Sequence, residues 1–200
     1  MLLEEVMNDS ICQPVAMRYK LWCEFMEQNI EFWLSDSVKH TKEHCARVLL
    51  LALVIGYQKG LSDEEMDALS IAAIFHDSRR LDDWLDKGHG KRAAEYYKDF
   101  CHAHDTPFDA QSYLIMYYHD QDDEIGLTEI AKSTAVSERC VLLYQIFKDA
   151  DALDRFRLGP DALAVNMLRT EEAIKLIDFA KYLLQKSNVE GLKNEGSGSY

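Results

Sequence analysis

The eight residues 48–55, Val-Leu-Leu-Leu-Ala-Leu-Val-Ile, are apolar on every side of any helix that carries them. Such a helix has no face to give to water, so other helices must wrap around it. The run is far shorter than the roughly 20 residues of a membrane span, which makes it the axis of a protein core. The pattern predicts this central helix over 38–59, with Gly60 ending it and Ser35, Asp36 and Ser37 supplying its N-cap. Its polar first half holds His40, Glu43, His44 and Arg47. Glu43 and Arg47 are four apart and are expected to pair on the helix surface.

Three prolines and nine glycines in 200 residues leave little punctuation, which favours long helices over a sheet. Helices are predicted over 14–34, 62–77, 91–102, 106–120, 137–154 and 171–185. In the first, Leu21, Trp22, Phe25, Met26, Phe32 and Trp33 recur at helical spacing. In the second, Asp63, Glu64 and Glu65 open the helix where its dipole favours acids. Residues 121–126 read as an acidic loop, and 190–200 as flexible by composition. The expected fold class is all-α. The expected division is an N-terminal helical extension over 1–37 packed on the core, a single domain over 38–188 and a tail over 189–200.

A formal charge of −13, with no long run of Lys and Arg, argues against duplex nucleic acid as a partner. A small phosphate ester in a cationic pocket remains compatible with it. Five scattered cysteines without a C-x-x-C pair read as buried thiols in a reducing compartment. The acidic N-terminus lacks a secretory pattern, so a cytoplasmic, membrane-free protein is expected. Nothing in the sequence indicates an oligomeric state.

The chemistry-bearing residues cluster in kind. The apolar run 71–75 ends in the adjacent pair His76-Asp77, which places an imidazole and a carboxylate at the edge of a core. His44, His76, Asp77 and Asp151 form a candidate four-ligand set, and His89 and His119 a candidate second position with Asp77 as a bridge. Neutral imidazoles mixed with carboxylates suit Mn, Fe, Co, Ni or Zn better than calcium, with Mg also allowed, as one ion or two. Such an ion lowers the pKa of bound water. His102 and His104 read as surface residues.

In order and spacing these residues resemble the HD superfamily of metal-dependent phosphohydrolases. The matching segments are His44-Cys45-Ala46-Arg47-Val48, His76-Asp77, and Asp149-Ala150-Asp151-Ala152-Leu153-Asp154, the last similar to a D-A-D-x-L-D closing motif. His40, His89-Gly90 with Arg92-Ala93, and Tyr118-His119-Asp120 resemble a subgroup with additional histidines. The resemblance covers roughly residues 38–160. It implies a five-helix core around a metal site, and hydrolysis of a phosphate mono- or diester of a small, nucleotide-like substrate. Where many members read H-D-I-G-R, this chain reads His76-Asp77-Ser78-Arg79-Arg80.

Members often place an acid soon after the pair to orient water, and Asp82 and Asp83 are available. His40 reads either as a general acid, given its natural pKa, or as a solvated first-turn residue. Arg80, Arg155 and Arg157 read either as a phosphate clamp or as surface charge. Asp149 and Asp154 read as partners that orient a ligating histidine or as helix surface. The rival functions are a phosphodiesterase acting on a phosphoester-modified protein, a metal- or nucleotide-binding module without turnover, and a di-iron oxygenase.

Overall fold

The computed structural model describes residues 4–34, 37 and 41–195. Among them are ten α-helices and no strand. The central helix is α3, Lys42–Gln58, and its residues from His44 through Gly56 are all buried. Leu49, Leu50, Leu51, Leu53 and Ile55 are fully inaccessible. Each such side chain is worth about 1.5–3 kcal/mol in transfer from water, so the apolar half of α3 offsets the burial of polar groups at its N-terminal end. The cap of α3 is Thr41, whose side-chain oxygen accepts from the His44 backbone N–H at 3.3 Å. It is not the 35–37 cluster: Ser37 instead donates to Asp83 at 2.5 Å, and residues 35, 36 and 38–40 lie outside the described residues.

Around α3 pack α2 (Ala16–Asn29), α4 (Asp63–Phe75) and α8 (Cys140–Leu153). α4 starts on a capping box between Ser62 and Glu65, as its acidic opening foretells. α5 (His89–Ala103) and α6 (Ala110–Tyr118) pack on each other, with α6 against α4 and α8. Single-turn helices at Asp154–Leu158 and Val165–Met167 follow α8, then α9 (Glu171–Lys175) and α10 (Ile177–Glu195).

Several predicted boundaries move. Pro14 sits in a separate 3-10 turn, Gln13–Val15, and α2 stops at Asn29, not near residue 34. The buried face of α2 is Tyr19, Cys23 and Met26, whereas Leu21 and Trp33 are exposed. A short α1, Glu4–Met7, precedes it, and Val6, Cys12 and Val15 join the core. α6 starts at Ala110, after the Asp109 cap. The last predicted helix is two, broken at Leu176, and its backbone continues to Glu195 through part of the segment read as flexible.

The largest correction is α7, Asp123–Lys132, where the acidic segment was read as a loop. Asp123 and Glu124 are its dipole-favoured first turn. Gly126 lets α7 approach α8 so closely that a Cβ there would collide with the Tyr144 ring.

All five cysteines are buried free thiols. No helix among the described residues is long and apolar enough to cross a membrane.

Candidate metal centre

Five helix ends meet at one point. His44 lies in the first turn of α3, and His76 caps the C-terminus of α4, with Asp77 next. His89 opens α5, His119 caps the C-terminus of α6, and Asp151 lies in the last turn of α8. The carbonyl ends of α4, α6 and α8 supply partial negative charge where cations are stabilised.

Backbone or carboxylate oxygens fix the orientation of all four imidazoles. His76 Nδ1 donates to the Ala73 carbonyl at 2.8 Å, His89 Nδ1 to Asp86 at 2.7 Å and His119 Nδ1 to Met116 at 2.7 Å. Each acceptor lies three residues earlier in the chain. His44 Nδ1 donates to Asp154 Oδ2 at 2.7 Å. A carbonyl only accepts, so the proton sits on Nδ1 and the lone pair of the neutral ring is on Nε2. The four Nε2 atoms point inward, with His44 and His76 3.2 Å apart and His89 and His119 2.9 Å apart.

Asp77 divides its carboxylate between the two pairs. Oδ2 lies 3.5 Å from His44 Nε2 and 3.9 Å from His76 Nε2. Oδ1 lies 3.2 Å from His89 Nε2 and 4.0 Å from His119 Nε2. Asp151 Oδ1 is 3.4 Å from His44 Nε2, at the cleft-facing edge of the first group. The donor atoms of His44, His76 and Asp77, and those of Asp77, His89 and His119, lie within 4.8 Å of one another, all on buried residues. These buried groups could hold a metal ion. Asp120 Oδ1, beside the second group, is buried with no hydrogen-bond partner among the described residues.

Electrostatics separates the members of each pair. Burial pushes the His76 pKa down to about 4, and burial together with His89 and His76 pushes His119 well below the usual histidine value. Burial and Arg157 act downward on His44 too, but hydrogen bonds to Asp151 and Asp154 outweigh them, and its pKa rises. His89 likewise rises against burial, through Asp77. Burial alone would raise Asp151, but the hydrogen bond and charge of His44 hold it far below the usual carboxylate range.

The sign for the metal-free chain follows. Below pH 6.5 the unfolded chain protonates His76 and His119 while the folded chain resists, so stability falls as pH drops from 6.5 toward 4. Above 6.5 the folded chain still holds protons on His44 and His89 that the unfolded chain has released, so their contribution is lost as pH rises through their folded values. For these four groups, urea midpoints of chelator-treated protein are expected to be highest near pH 6.5. A midpoint rising steadily from pH 6.5 to 8.5 would contradict this assignment.

Gly90 sets the distance between the two helices that carry His89 and His119. A Cβ there would stand 2.5 Å from the Met116 carbonyl and 2.7 Å from His119 Nδ1. Gly90→Ala is therefore expected to cost about 1–3 kcal/mol and to turn the His119 ring. Thermal melts with and without added Mn²⁺ check both effects, since the variant should lose part of any metal-dependent rise in melting temperature.

A cleft of about 770 Å³ opens above this floor. Arg80, Lys87, Lys148, Arg155, Arg157 and Arg169 line it, with Asp77, His89, His119 and Asp151 at its base. The three predicted arginines are thus at the cleft. Arg80 is buried and donates to the Trp84 carbonyl at 2.6 Å, Arg155 to the Ala162 carbonyl at 3.0 Å and Arg157 to the Asp154 carbonyl at 3.3 Å. Asp82 is exposed, its carboxylate accepts from the Trp84 N–H at 2.8 Å, and it is absent from the cleft lining, which instead includes Asp83. His40 lies outside the described residues. His102 and His104 are exposed, as expected.

Of the two candidate orienting acids, Asp154 takes that role. Asp149 instead accepts from the backbone N–H groups of Arg169 and Thr170 at 2.9 and 2.8 Å. Arg47 turns inward to Asp154, at 2.6 Å from Nε and 3.0 Å from Nη2, and not to Glu43. Arg79 stacks on Tyr96 with its guanidinium carbon 3.2 Å from the ring centroid. Sequence reasoning missed Lys148 and Arg169 as cleft residues. Both come from helix or loop surfaces without a motif. It names Gly90 only within the His89-Gly90 match and gives it no packing role, although a glycine inside a helix is itself a signal of close approach.

No family model, curated protein or solved structure matches the chain in comparisons with known proteins.

Proposed function

We propose that the chain is an HD-type metal-dependent phosphohydrolase that cleaves a phosphate mono- or diester of a small, nucleotide-like molecule with water. The observation that carries this reading is the division of Asp77 between two pairs of inward-facing imidazoles at the floor of a cleft. Four donors, His44, His76, Asp77 and Asp151, would hold one divalent ion. The mixture of nitrogen and oxygen suits Mn, Fe, Co, Ni or Zn, with Mg a weaker fit. When bound, such an ion supplies acidified water and neutralises phosphoryl charge.

The chain's own groups do the remaining work. Asp154 holds the His44 ring in the tautomer that presents Nε2. Arg155 and Arg157, on the turn after α8, line a cleft that carries as many carboxylates as cations, and they would place an anionic group at that end of it. The cleft volume, about 770 Å³, matches a small-molecule ligand and not a protein surface, which favours a free phosphoester over one attached to a protein.

The near-symmetry of the two groups about Asp77 favours one second reading, oxygen activation by two irons. Elemental analysis of untreated protein, followed by a phosphoester and nucleotide panel with that metal restored, separates them. Phosphate release from at least one nucleotide or phosphoester is expected. Metal-loaded protein that releases none, yet consumes dioxygen after anaerobic iron loading, would overturn the hydrolase.

A further inference from the structure

The two halves of the floor are unequal, and the inequality comes from Arg80. Beside the group around His44 stands Asp151, 3.4 Å from His44 Nε2 but outside the set whose donors all lie within 4.8 Å of one another. The group around His89 has a cation against it as well as a nearby carboxylate, Asp120 Oδ2 at 3.6 Å from His89 Nδ1. Arg80 Nη1 lies 3.2 Å from His89 Nε2 and 3.6 Å from Asp77 Oδ1. Nη1 is almost equally far from the two ring nitrogens of His89, 3.3 Å from Nδ1 and 3.2 Å from Nε2, so the guanidinium stands against the ring between them and not on the Nε2 lone pair. Two of the three donors in that group therefore face a fixed guanidinium. The guanidinium is held from behind, because Nη2 donates to the Trp84 carbonyl at 2.6 Å and Nε to the Asp82 carbonyl at 3.2 Å. Arg80 is buried, so water screens this charge little.

We propose that Arg80 is the residue that makes this a one-ion site at low metal concentration: its guanidinium stands against the His89 ring and Asp77 Oδ1 and repels a second divalent ion, which binds only as Arg80 withdraws. The inference rests on the metal-site reading above. It carries a structural consequence. Withdrawal breaks the bonds from Arg80 to the carbonyls of Asp82 and Trp84, so filling the second position loosens the rim segment 81–86 of the cleft.

The test titrates metal-free protein with Mn²⁺ alone, reading stoichiometry by equilibrium dialysis and exchange coupling between two ions by electron paramagnetic resonance. Wild type is expected to bind one Mn²⁺ tightly and a second at least about tenfold more weakly, because an unscreened charge stands at the second position. Arg80→Gln removes the charge and keeps a donor for the Trp84 carbonyl, and it should bind two ions with a coupled spectrum at the concentration where wild type holds one. Arg80→Lys keeps the charge and should stay near wild type, which separates charge from packing. Adding His119→Ala to Arg80→Gln should return the count to one. Two ions of similar affinity in wild type, or an unchanged second affinity in Arg80→Gln, would overturn the role of Arg80 and leave the metal site standing. No ion bound by wild type would overturn both. If Arg80→Gln fails to fold, coupled ions of similar affinity in Arg80→Lys would count against the proposal and a one-ion spectrum would support it.

Discussion

Asp77→Ala is expected to weaken metal binding at both positions and to lower phosphoester turnover on the order of a thousandfold or more. The magnitude follows from the geometry, because one carboxylate serves both groups: Oδ2 faces His44 and His76, and Oδ1 faces His89 and His119. Loss of an outer partner alone typically costs 10- to 100-fold in metal affinity, roughly, and the shared carboxylate is nearer than any outer partner. Asp77 lies beyond the C-cap of α4, so the helical content of the metal-free variant should match wild type. Metal content by elemental analysis and turnover of a responsive phosphoester are the readouts. A variant that keeps both metal and turnover would remove Asp77 from the site.

The second large effect is expected from Asp154→Ala, and it falls on stability and metal affinity together. Asp154 is buried and accepts from His44 Nδ1 at 2.7 Å and from Arg47 at 2.6 and 3.0 Å. Removing it strands a buried guanidinium, which costs about 3–5 kcal/mol. It also frees the His44 ring to change tautomer, for a loss of about 10- to 100-fold in first-ion affinity. Urea midpoints and Mn²⁺ titration read the two effects separately. Adding Arg47→Met should recover part of the stability, since the guanidinium that makes two bonds to Asp154 is then gone and only Arg157, 3.7 Å from Asp154 Oδ2, loses its partner, but none of the affinity. Recovery of both would mean that Asp154 acts on the metal only through the fold.

Much of this centre was legible in the sequence because its chemistry sits where patterns break. His76-Asp77 ends an apolar run, and the loss of hydrophobic periodicity marks the helix end that makes it a site. His44 stands at the polar end of a helix otherwise buried on all sides. The acidic opening of α7 was not read as a helix because Asp122, Asp123 and Glu124 satisfy loop composition as well as a helix N-terminus. Only the fit of Gly126 against Tyr144 decides between them, and that is a tertiary fact. Arg47 shows the same limit. Spacing pairs it with Glu43, but a buried carboxylate more than a hundred residues away is a stronger partner than a solvated one on the same helix. The cations of the cleft wall were only partly visible, since Lys148 and Arg169 reach it through the packing of α7, α8 and the loop before α9.

The most direct test of the central claim is an anomalous-difference map from crystals of wild-type protein grown with Mn²⁺. A peak is predicted among His44 Nε2, His76 Nε2, Asp77 Oδ2 and Asp151 Oδ1, within bonding distance of each after small side-chain adjustment. Density only at surface carboxylates, with the four imidazoles unmoved and no peak between them at saturating Mn²⁺, would contradict it.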